Sequence, residues 1–112
     1  MKRHSMVLLA ILAGSAAYVS LNAAPREQQD AKQVYLDKCS LCHGEDGAGK
    51  TAKGKKLNMK DIRSADVQKL TPAEWTTIIL KGKGTIMDSY EKELGADMAK
   101  KLADYMRDLS KK

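Results

Sequence analysis

Two cysteines and a histidine lie close together in the sequence and have the spacing of a cofactor site. Residues 39–43 read CSLCH, and the chain contains no other cysteine. On a helix this spacing places the two thiols about one turn apart, so that each can reach a different vinyl group on one edge of a haem. His43 can then reach the iron from one face of the ring. The motif predicts one covalently attached haem, with Cys39 and Cys42 as attachment points and His43 as an axial iron ligand.

The residues that follow match a second and incompatible motif. Residues 44–51 read GEDGAGKT and satisfy the phosphate-loop pattern G-x-x-x-x-G-K-[ST]. Such a loop needs a buried strand before its first glycine, because its backbone N–H groups converge on phosphates at a strand-to-helix junction. A helical pattern precedes Gly44 instead, and residues 52–56 (AKGKK) offer no apolar face that could dock a helix on a sheet. We therefore predict no nucleotide binding.

Other functions of the cysteine pair and of the basic charge are less well supported. A thioredoxin-like disulfide motif requires a βαβ context, and no strand-like run lies nearby. A zinc site would have three ligands only, because no histidine other than His43 follows residue 24. The net charge of +6 suits nucleic acid, but no recognition motif accompanies it, so we expect no nucleic-acid partner.

The first residues have the order of a secretory signal peptide. Lys2 and Arg3 are followed by an uncharged apolar run over residues 6–21 and then by small residues. The run is shorter than the roughly 20 residues that span a bilayer, which favours removal over a permanent anchor. We predict a signal peptide over residues 1–24, with an uncertain cleavage site, and one domain over residues 25–112. The protein would be periplasmic or otherwise exported, and would be membrane-anchored only if residues 1–24 were retained.

The remaining sequence predicts an all-α protein of about four short helices. Helical spacing recurs over residues 28–42, 62–70 and 96–110, and alternating strand patterns are absent. Thr71 and Glu74 form a capping-box pattern at the start of a helix that ends at Gly82. The chain has no phenylalanine and one tryptophan. A haem would supply the apolar centre that so few aromatic side chains cannot fill.

Four methionines after residue 24 could supply a second axial ligand through their thioether sulfur. Met98 and Met106 lie on the apolar stripe of the last predicted helix, where methionine usually fills the core. Met59 and Met87 lie in predicted loops. Spacing alone leaves both of them open.

Residues 35–49 (YLDKCSLCHGEDGAG), residues 81–87 (KGKGTIM) and the last helix resemble the small soluble class I cytochromes c, which bind one haem. The similarity covers nearly all of residues 25–112. It implies a cytochrome c-like fold wrapped around one covalently attached haem c, with Tyr35 packed against Tyr105. It also implies Met87 as the second axial ligand, with Met59 as the rival. Two departures stand out: Asp88 replaces the usual proline after that methionine, and no proline follows His43.

With both faces of the iron occupied, electrons can pass only through an exposed haem edge. We therefore expect a monomeric, exported electron carrier rather than an enzyme, serving larger redox partner proteins. Two alternatives remain: a haem enzyme or gas-binding protein with a labile sixth ligand (peroxidase-like), or an electron-transfer subunit of a dehydrogenase or oxidase complex. Lysines expected to border the haem crevice could steer acidic partners: Lys38, Lys50, Lys53, Lys55, Lys56, Lys81 and Lys83.

Overall fold

The computed structural model describes the backbone of residues 26–112 and the side chains of residues 30–112. The predicted signal peptide, residues 1–24, lies outside the described residues. The described chain forms six α-helices and a closing 3₁₀ turn: α1 (Arg26–Lys38), α2 (Ser40–His43), α3 (Ala52–Lys56), α4 (Ala65–Gln68), α5 (Pro72–Lys81), α6 (Glu91–Asp108) and the 3₁₀ turn Leu109–Lys111. Within this range the only extended pairing is an isolated bridge between Lys83 and Met87. The all-α prediction is confirmed.

Helix α5 begins and ends where the sequence predicts. The Thr71 hydroxyl accepts a hydrogen bond from the Glu74 backbone N–H (3.2 Å), and the Glu74 carboxylate accepts one from the Thr71 N–H (2.7 Å). This capping box satisfies two N–H groups that have no partner within the helix. At the other end, Gly82 has a φ of 77°, which stops the helix at Lys81.

Helix α6 contains a sharp break that separates its first turn from its main body. Gly95 has φ 72° and ψ 173°, which is not a helical conformation and is open mainly to glycine. Residues 91–94 therefore form a separate turn, and the main body runs from Ala96 to Asp108. The start of the main body at Ala96 agrees with the predicted start of the last helix. Residues 91–94 belong with the preceding loop.

The core lies where the first and last helices pack together and where α5 packs against α6. Small buried residues, Ala31 on α1 and Ala99 and Ala103 on α6, belong to the cluster that joins these helices. The rings of Tyr35 and Tyr105 also meet there, with centroids 5.2 Å apart and planes inclined by 54°. The tyrosine contact implied by the resemblance is confirmed.

The shorter helices differ from the sequence prediction. The predicted helix over residues 28–42 is broken at Cys39, so that α1 and α2 are separate helices. The predicted helix over residues 62–70 is reduced to the single turn α4. Helix α3 (Ala52–Lys56) lies outside the segments in which the sequence predicts helices. Each of these segments is short, so tertiary contacts rather than helix propensity determine its conformation.

None of the helices in the described part of the chain combines the length and the apolar composition needed to cross a membrane.

Candidate haem-binding site

The segment that carries both cysteines and the histidine is held in a helical path. The Cys39 N–H donates to the Tyr35 carbonyl (2.9 Å), and the His43 N–H donates to the Cys39 carbonyl (3.0 Å). Cys39, Cys42 and His43 are half-buried, and both thiols are free. The structure thus brings the three predicted residues together on one turn of chain, as haem attachment requires.

After His43 the backbone turns sharply through a glycine-rich loop, residues 44–49. The Gly49 N–H donates to the His43 carbonyl (2.8 Å), which closes the loop on the histidine. Gly47 has a φ of 80°, and a Cβ placed there would lie 2.6 Å from the Ile62 side chain. Glycine in this loop allows the backbone to pass close to a neighbouring side chain, because it has no Cβ. A helix, not a strand, precedes them, so the phosphate-loop match has no supporting fold.

Helix α3 is pressed against the cysteine-bearing segment. Its N-cap residue, Thr51, accepts from the Gly54 N–H (2.9 Å), and its hydroxyl donates to the Leu41 carbonyl (2.7 Å). A Cβ added at Gly54 would lie 2.4 Å from the Cys42 carbonyl oxygen. Residue 54 must therefore be glycine for α3 and α2 to be this close.

A cavity of about 610 Å³ opens beside His43. Most of its lining side chains are apolar, as expected for a site that takes a large hydrophobic cofactor. Apart from His43, its lining includes the following side chains: Leu57, Met59, Ile62, Val67, Leu70, Trp75, Ile78, Ile79, Ile86, Met87 and Met106. Both candidate ligands from the loops, Met59 and Met87, line the same cavity as His43.

The two methionines reach the cavity from different parts of the fold. The Met59 N–H donates to the Gly54 carbonyl (2.8 Å), and a Cβ at Gly49 would lie 3.0 Å from the Met59 Cβ. Met59 is therefore fixed to the glycine loop that closes on His43. Met87 lies instead in the loop between α5 and α6, where it exchanges two backbone hydrogen bonds with Lys83 (2.9 and 3.2 Å). Other residues of the same loop, Lys83 to Ile86, also line the cavity.

Burial governs the titration of the groups at this site. Desolvation lowers the pKa of His43 below its usual range, so the imidazole is neutral and its ring nitrogen is available to a metal. Desolvation also raises the pKa of the Cys39 thiol to about 11. A thiol with this pKa is rarely a thiolate at neutral pH, which argues against thiol–disulfide exchange. The described residues also contain no cluster of three or more metal-ligating side chains.

Two buried nitrogens in this region have no hydrogen-bond partner among the described residues: His43 Nδ1 and Trp75 Nε1. Buried donors of this kind are costly unless a bound group or water satisfies them. Trp75 lines the cavity, and the carboxylates of a haem could accept its N–H. Three features of the site together fit a haem. They are the apolar cavity, the two free thiols beside it and the Trp75 N–H that lacks a partner among the described residues. The lack of a partner for His43 Nδ1 agrees with the absence of a proline after His43, whose carbonyl would otherwise orient the ring.

Tyr35 holds the backbone next to His43 in place through a buried hydrogen bond. Its hydroxyl donates to the Gly44 carbonyl (2.6 Å), and its side chain is fully buried. Because Gly44 follows His43 directly, this bond fixes the backbone that carries the imidazole.

Sequence reasoning found the cysteines, His43 and both loop methionines, but it assigned no role to Trp75. The available signal was its position in the first turns of the capped helix α5, whose apolar face had to turn inward. Sequence reasoning also could not tell which lysines form ion pairs with acidic side chains and which do not. Lys38 pairs with Glu93, and Lys81 pairs with Glu91 (2.7 Å).

The sequence profile of the family described as "Cytochrome C oxidase, cbb3-type, subunit III" matches residues 26–106, which is most of the chain. The chain belongs to this family. Both cysteines, His43 and both loop methionines fall within the matched residues. No curated protein matches the chain.

Several solved structures of c-type cytochromes are similar to this cytochrome. KustC0563 c-type cytochrome is 26% identical with a TM-score of 0.65, over 70% of this chain and 95% of that one. The c-type cytochrome XoxG from Methylobacterium extorquens AM1 is 22% identical with a TM-score of 0.59, over 76% of this chain and 51% of that one. The c-type cytochrome NirC is 20% identical with a TM-score of 0.58, over 80% of this chain and 94% of that one. The likenesses to XoxG and NirC establish the fold alone.

These findings confirm the predicted monohaem class I c-type cytochrome and its cytochrome c fold. Membership of the family implies a covalently bound haem c with its iron, for which two cysteines are present. The protein is therefore a haem-based electron carrier.

Proposed function

We propose that this cytochrome is an exported carrier of single electrons whose haem iron is held by His43 and Met87. One observation supports the proposal: His43 and Met87 line the same apolar cavity and come from different segments of the chain, α2 and the loop between α5 and α6. Ligands from different segments can approach opposite faces of a flat ring. The bound haem supplies a one-electron iron couple, and two axial ligands leave no position for a substrate.

Backbone contacts favour Met87 over Met59 as the second ligand. Met59 is tied through Gly54 and Gly49 to the segment that bears His43, which favours a position on the same side of the ring as the histidine. Met87 comes from the loop between α5 and α6. Histidine with methionine raises the potential of the iron relative to two nitrogen ligands, which suits a carrier rather than an oxygen-activating site.

The remaining residues of the site orient the ligands and exclude water. Desolvation keeps the His43 imidazole neutral, and the Tyr35 hydroxyl fixes the carbonyl of the next residue. Leu41, between the two cysteines, is 66% exposed, so the tethered edge of the ring would lie close to solvent. Electron exchange through that edge needs no opening of the cavity.

Export is the other half of this proposal. It is supported by the basic, apolar and small-residue order of residues 1–24 and by the attachment motif itself. Mass spectrometry of the native protein tests both points together. A mature chain starting near residue 25 and carrying one haem supports export, and an intact N-terminus would instead indicate a retained anchor.

Optical spectroscopy tests the iron ligands. The oxidised wild-type protein should show the sulfur-to-iron charge-transfer band of a methionine-ligated haem. Met87→Ala should abolish this band, whereas Met59→Ala, the matched change at the other loop methionine that lines the cavity, should leave it in place. Loss of the band in Met59→Ala alone would show that the assignment is wrong. A high-spin spectrum in the wild type would favour the haem enzyme or gas-binding alternative.

The description of the matching family favours a second candidate, an electron-transfer subunit of an oxidase complex. Native electrophoresis of solubilised membranes, with the chain followed by haem staining, separates the two roles. A free carrier migrates as a small haem protein, and a subunit comigrates with a large complex.

A further inference from the structure

The segment that carries Met87 lies between two glycines with nearly the same backbone conformation. Gly82 has φ 77° and ψ −174°, and Gly95 has φ 72° and ψ 173°. This conformation is open almost only to glycine, so the chain path on either side of the segment depends on these two residues. We call the residues between them, 83–94, the Met87 flap.

The two ends of the Met87 flap differ in packing. A Cβ at Gly82 would lie 2.3 Å from the Met87 carbonyl oxygen, whereas a Cβ at Gly95 would have no atom within 4 Å. The main body of α6, which follows Gly95, is held in the core by Ala99 and Leu102. A change of backbone torsion at Gly95 therefore meets no obstacle, and it moves the flap while the main body of α6 stays in place.

The Met87 flap has few buried contacts with the rest of the protein. None of its residues is buried. Three half-buried apolar side chains of the flap pack against the core: Met87, Tyr90 and Leu94. Two hydrogen bonds join it to α5, from the Tyr90 N–H to the Ile79 carbonyl and from the Ser89 hydroxyl to the Leu80 carbonyl. Segments with so little buried apolar contact open at a low free-energy cost.

Two ion pairs at the surface hold the part of the flap next to Gly95. Glu91 pairs with Lys81, the last residue of α5 (2.7 Å), and Glu93 pairs with Lys38, the last residue of α1. Lys38 directly precedes a haem-attachment cysteine, so the second pair joins the flap to the segment that would carry the ring. Each of the four side chains is between 33% and 62% exposed. Salt therefore screens both pairs.

We propose that the Lys81–Glu91 and Lys38–Glu93 pairs hold the Met87 flap closed, and that screening of these pairs lets the flap turn about Gly95 and withdraw Met87 from the iron. This inference rests on the proposed ligation by Met87 and describes how that ligation is regulated. Opening also breaks the two hydrogen bonds to α5. The closed state therefore stays the more stable one, and the ion pairs determine how often the flap opens.

The open flap would give the protein a second property besides electron transfer. The position that Met87 leaves would be accessible to a small, uncharged electron-pair donor such as an imidazole. At low ionic strength the protein would act as a carrier alone, and at high ionic strength it would also bind such a ligand.

The test measures how fast imidazole replaces Met87 in the oxidised, haem-loaded protein. Imidazole is mostly uncharged at about pH 8, so its encounter with the protein does not depend on the protein's charge. Stopped-flow mixing with excess imidazole is followed by loss of the sulfur-to-iron charge-transfer band. The limiting rate at saturating imidazole then reports opening of the flap.

Glu91→Gln/Glu93→Gln removes both ion pairs and changes the side-chain shapes little. At low ionic strength it should raise the limiting rate at least about threefold, since exposed pairs are individually weak. Added potassium chloride should raise the rate of the wild type towards that of this variant, and should leave the variant nearly unchanged.

Two controls separate the ion pairs from net charge and from general stability. Asp104→Asn/Asp108→Asn also removes two acidic partners of ion pairs, with Arg107 and Lys111, but on the main body of α6 and the turn after it, and should leave the rate unchanged.

Glu93→Lys places two lysines opposite each other and should react fast. Lys38→Glu/Glu93→Lys restores the attraction with exchanged charges and should return the rate towards that of the wild type.

Equal rates in the two double variants, or a wild-type rate that does not respond to salt, would overturn the inference while leaving the proposed carrier function intact. A charge-transfer band that survives Met87→Ala would overturn the proposed ligation itself, and this inference with it.

Discussion

At the scale of single residues, the hydrogen bond between Tyr35 and Gly44 is a strong structural constraint on the site. The donor is fully buried, the distance is 2.6 Å, and the acceptor directly follows His43. Removing the hydroxyl would leave a buried carbonyl without this partner. A carbonyl that loses its bond in the interior destabilises the folded state by more than an exposed one, because water cannot replace the donor.

We predict that Tyr35→Phe lowers the free energy of unfolding by roughly 1–3 kcal/mol. Denaturant unfolding of the haem-loaded protein, followed by the haem absorbance, measures this. Tyr90→Phe is the matched control, because the Tyr90 hydroxyl is 3.5 Å from the Lys38 carbonyl and makes at best a weak bond. Equal losses in both variants would contradict the role assigned to the buried hydroxyl.

The same residue gives a pH dependence. Burial raises the pKa of Tyr35 above its ordinary value of about 10. At a pH above that value the folded protein therefore retains the phenolic proton that the unfolded chain releases. This contribution to stability is complete below about pH 10 and is lost as the pH rises through the folded-state pKa. The wild type should therefore lose stability in alkali more steeply than Tyr35→Phe, and parallel slopes would contradict this.

At the scale of elements, the loop between α5 and α6 presents Met87 through close backbone packing. A Cβ at Gly82 would lie 2.3 Å from the Met87 carbonyl oxygen, and the φ of 77° is itself unfavourable for other residues. Hydrogen bonds from the Tyr90 N–H to Ile79 (3.1 Å) and from the Ser89 hydroxyl to Leu80 tie the end of the loop to α5. The loop is therefore anchored at both ends.

We predict that Gly82→Ala weakens or abolishes the sulfur-to-iron charge-transfer band by displacing this loop. Gly84→Ala is the control, because Gly84 also has a positive φ (59°) but a Cβ added there would have no atom within 4 Å. The control should keep the band and lose only about 1 kcal/mol of stability. An intact band in Gly82→Ala would show that the loop does not depend on this contact.

The sequence predicted those helices whose ends or apolar faces are marked by local residue patterns. The Thr71–Glu74 capping box and the terminal Gly82 defined α5, and the heptad-like apolar stripe defined the main body of α6. Helix α3 was missed because its signal is tertiary: Thr51 caps it while also binding Leu41, and Gly54 is required only by the nearness of Cys42. The break at Cys39 was missed for the same reason.

The site was predictable to a similar degree. The spacing of residues 39–43 identified the attachment motif, because the chemistry is local in sequence. The choice between Met59 and Met87 is not fixed by local sequence, since it depends on how each loop packs around the cavity. The ion pairs of Lys38 and Lys81 join residues 55 and 10 positions apart, and no local pattern reports them.

At the scale of the whole molecule, the core is divided between side chains and cofactor. Tyr35, Leu102 and the small alanines pack α1 against α6, whereas the region between α5 and residues 57–62 is a cavity of about 610 Å³. A chain of this length has little stability to spare without a cofactor or crosslink. The haem is therefore a structural part of the fold as well as its redox centre.

We predict that Cys39→Ala/Cys42→Ala, which cannot attach haem, loses cooperative thermal unfolding and much of its helical signal in far-ultraviolet circular dichroism. The reason is that water would enter the apolar cavity and the walls would lose their common contact. Cys42→Ala, which keeps one attachment point, should be intermediate. A sharp transition in the double variant, equal to that of the wild type, would contradict a structural role for the haem.

Trp75 has one more consequence. It is the chain's single tryptophan, it is 4% exposed, and its indole lines the cavity that the haem would fill. A porphyrin that close accepts excitation energy from an indole, so the loaded protein should emit almost no tryptophan fluorescence. Emission would return as α5 separates from the ring, which gives the molecule a label-free optical reporter of its own unfolding.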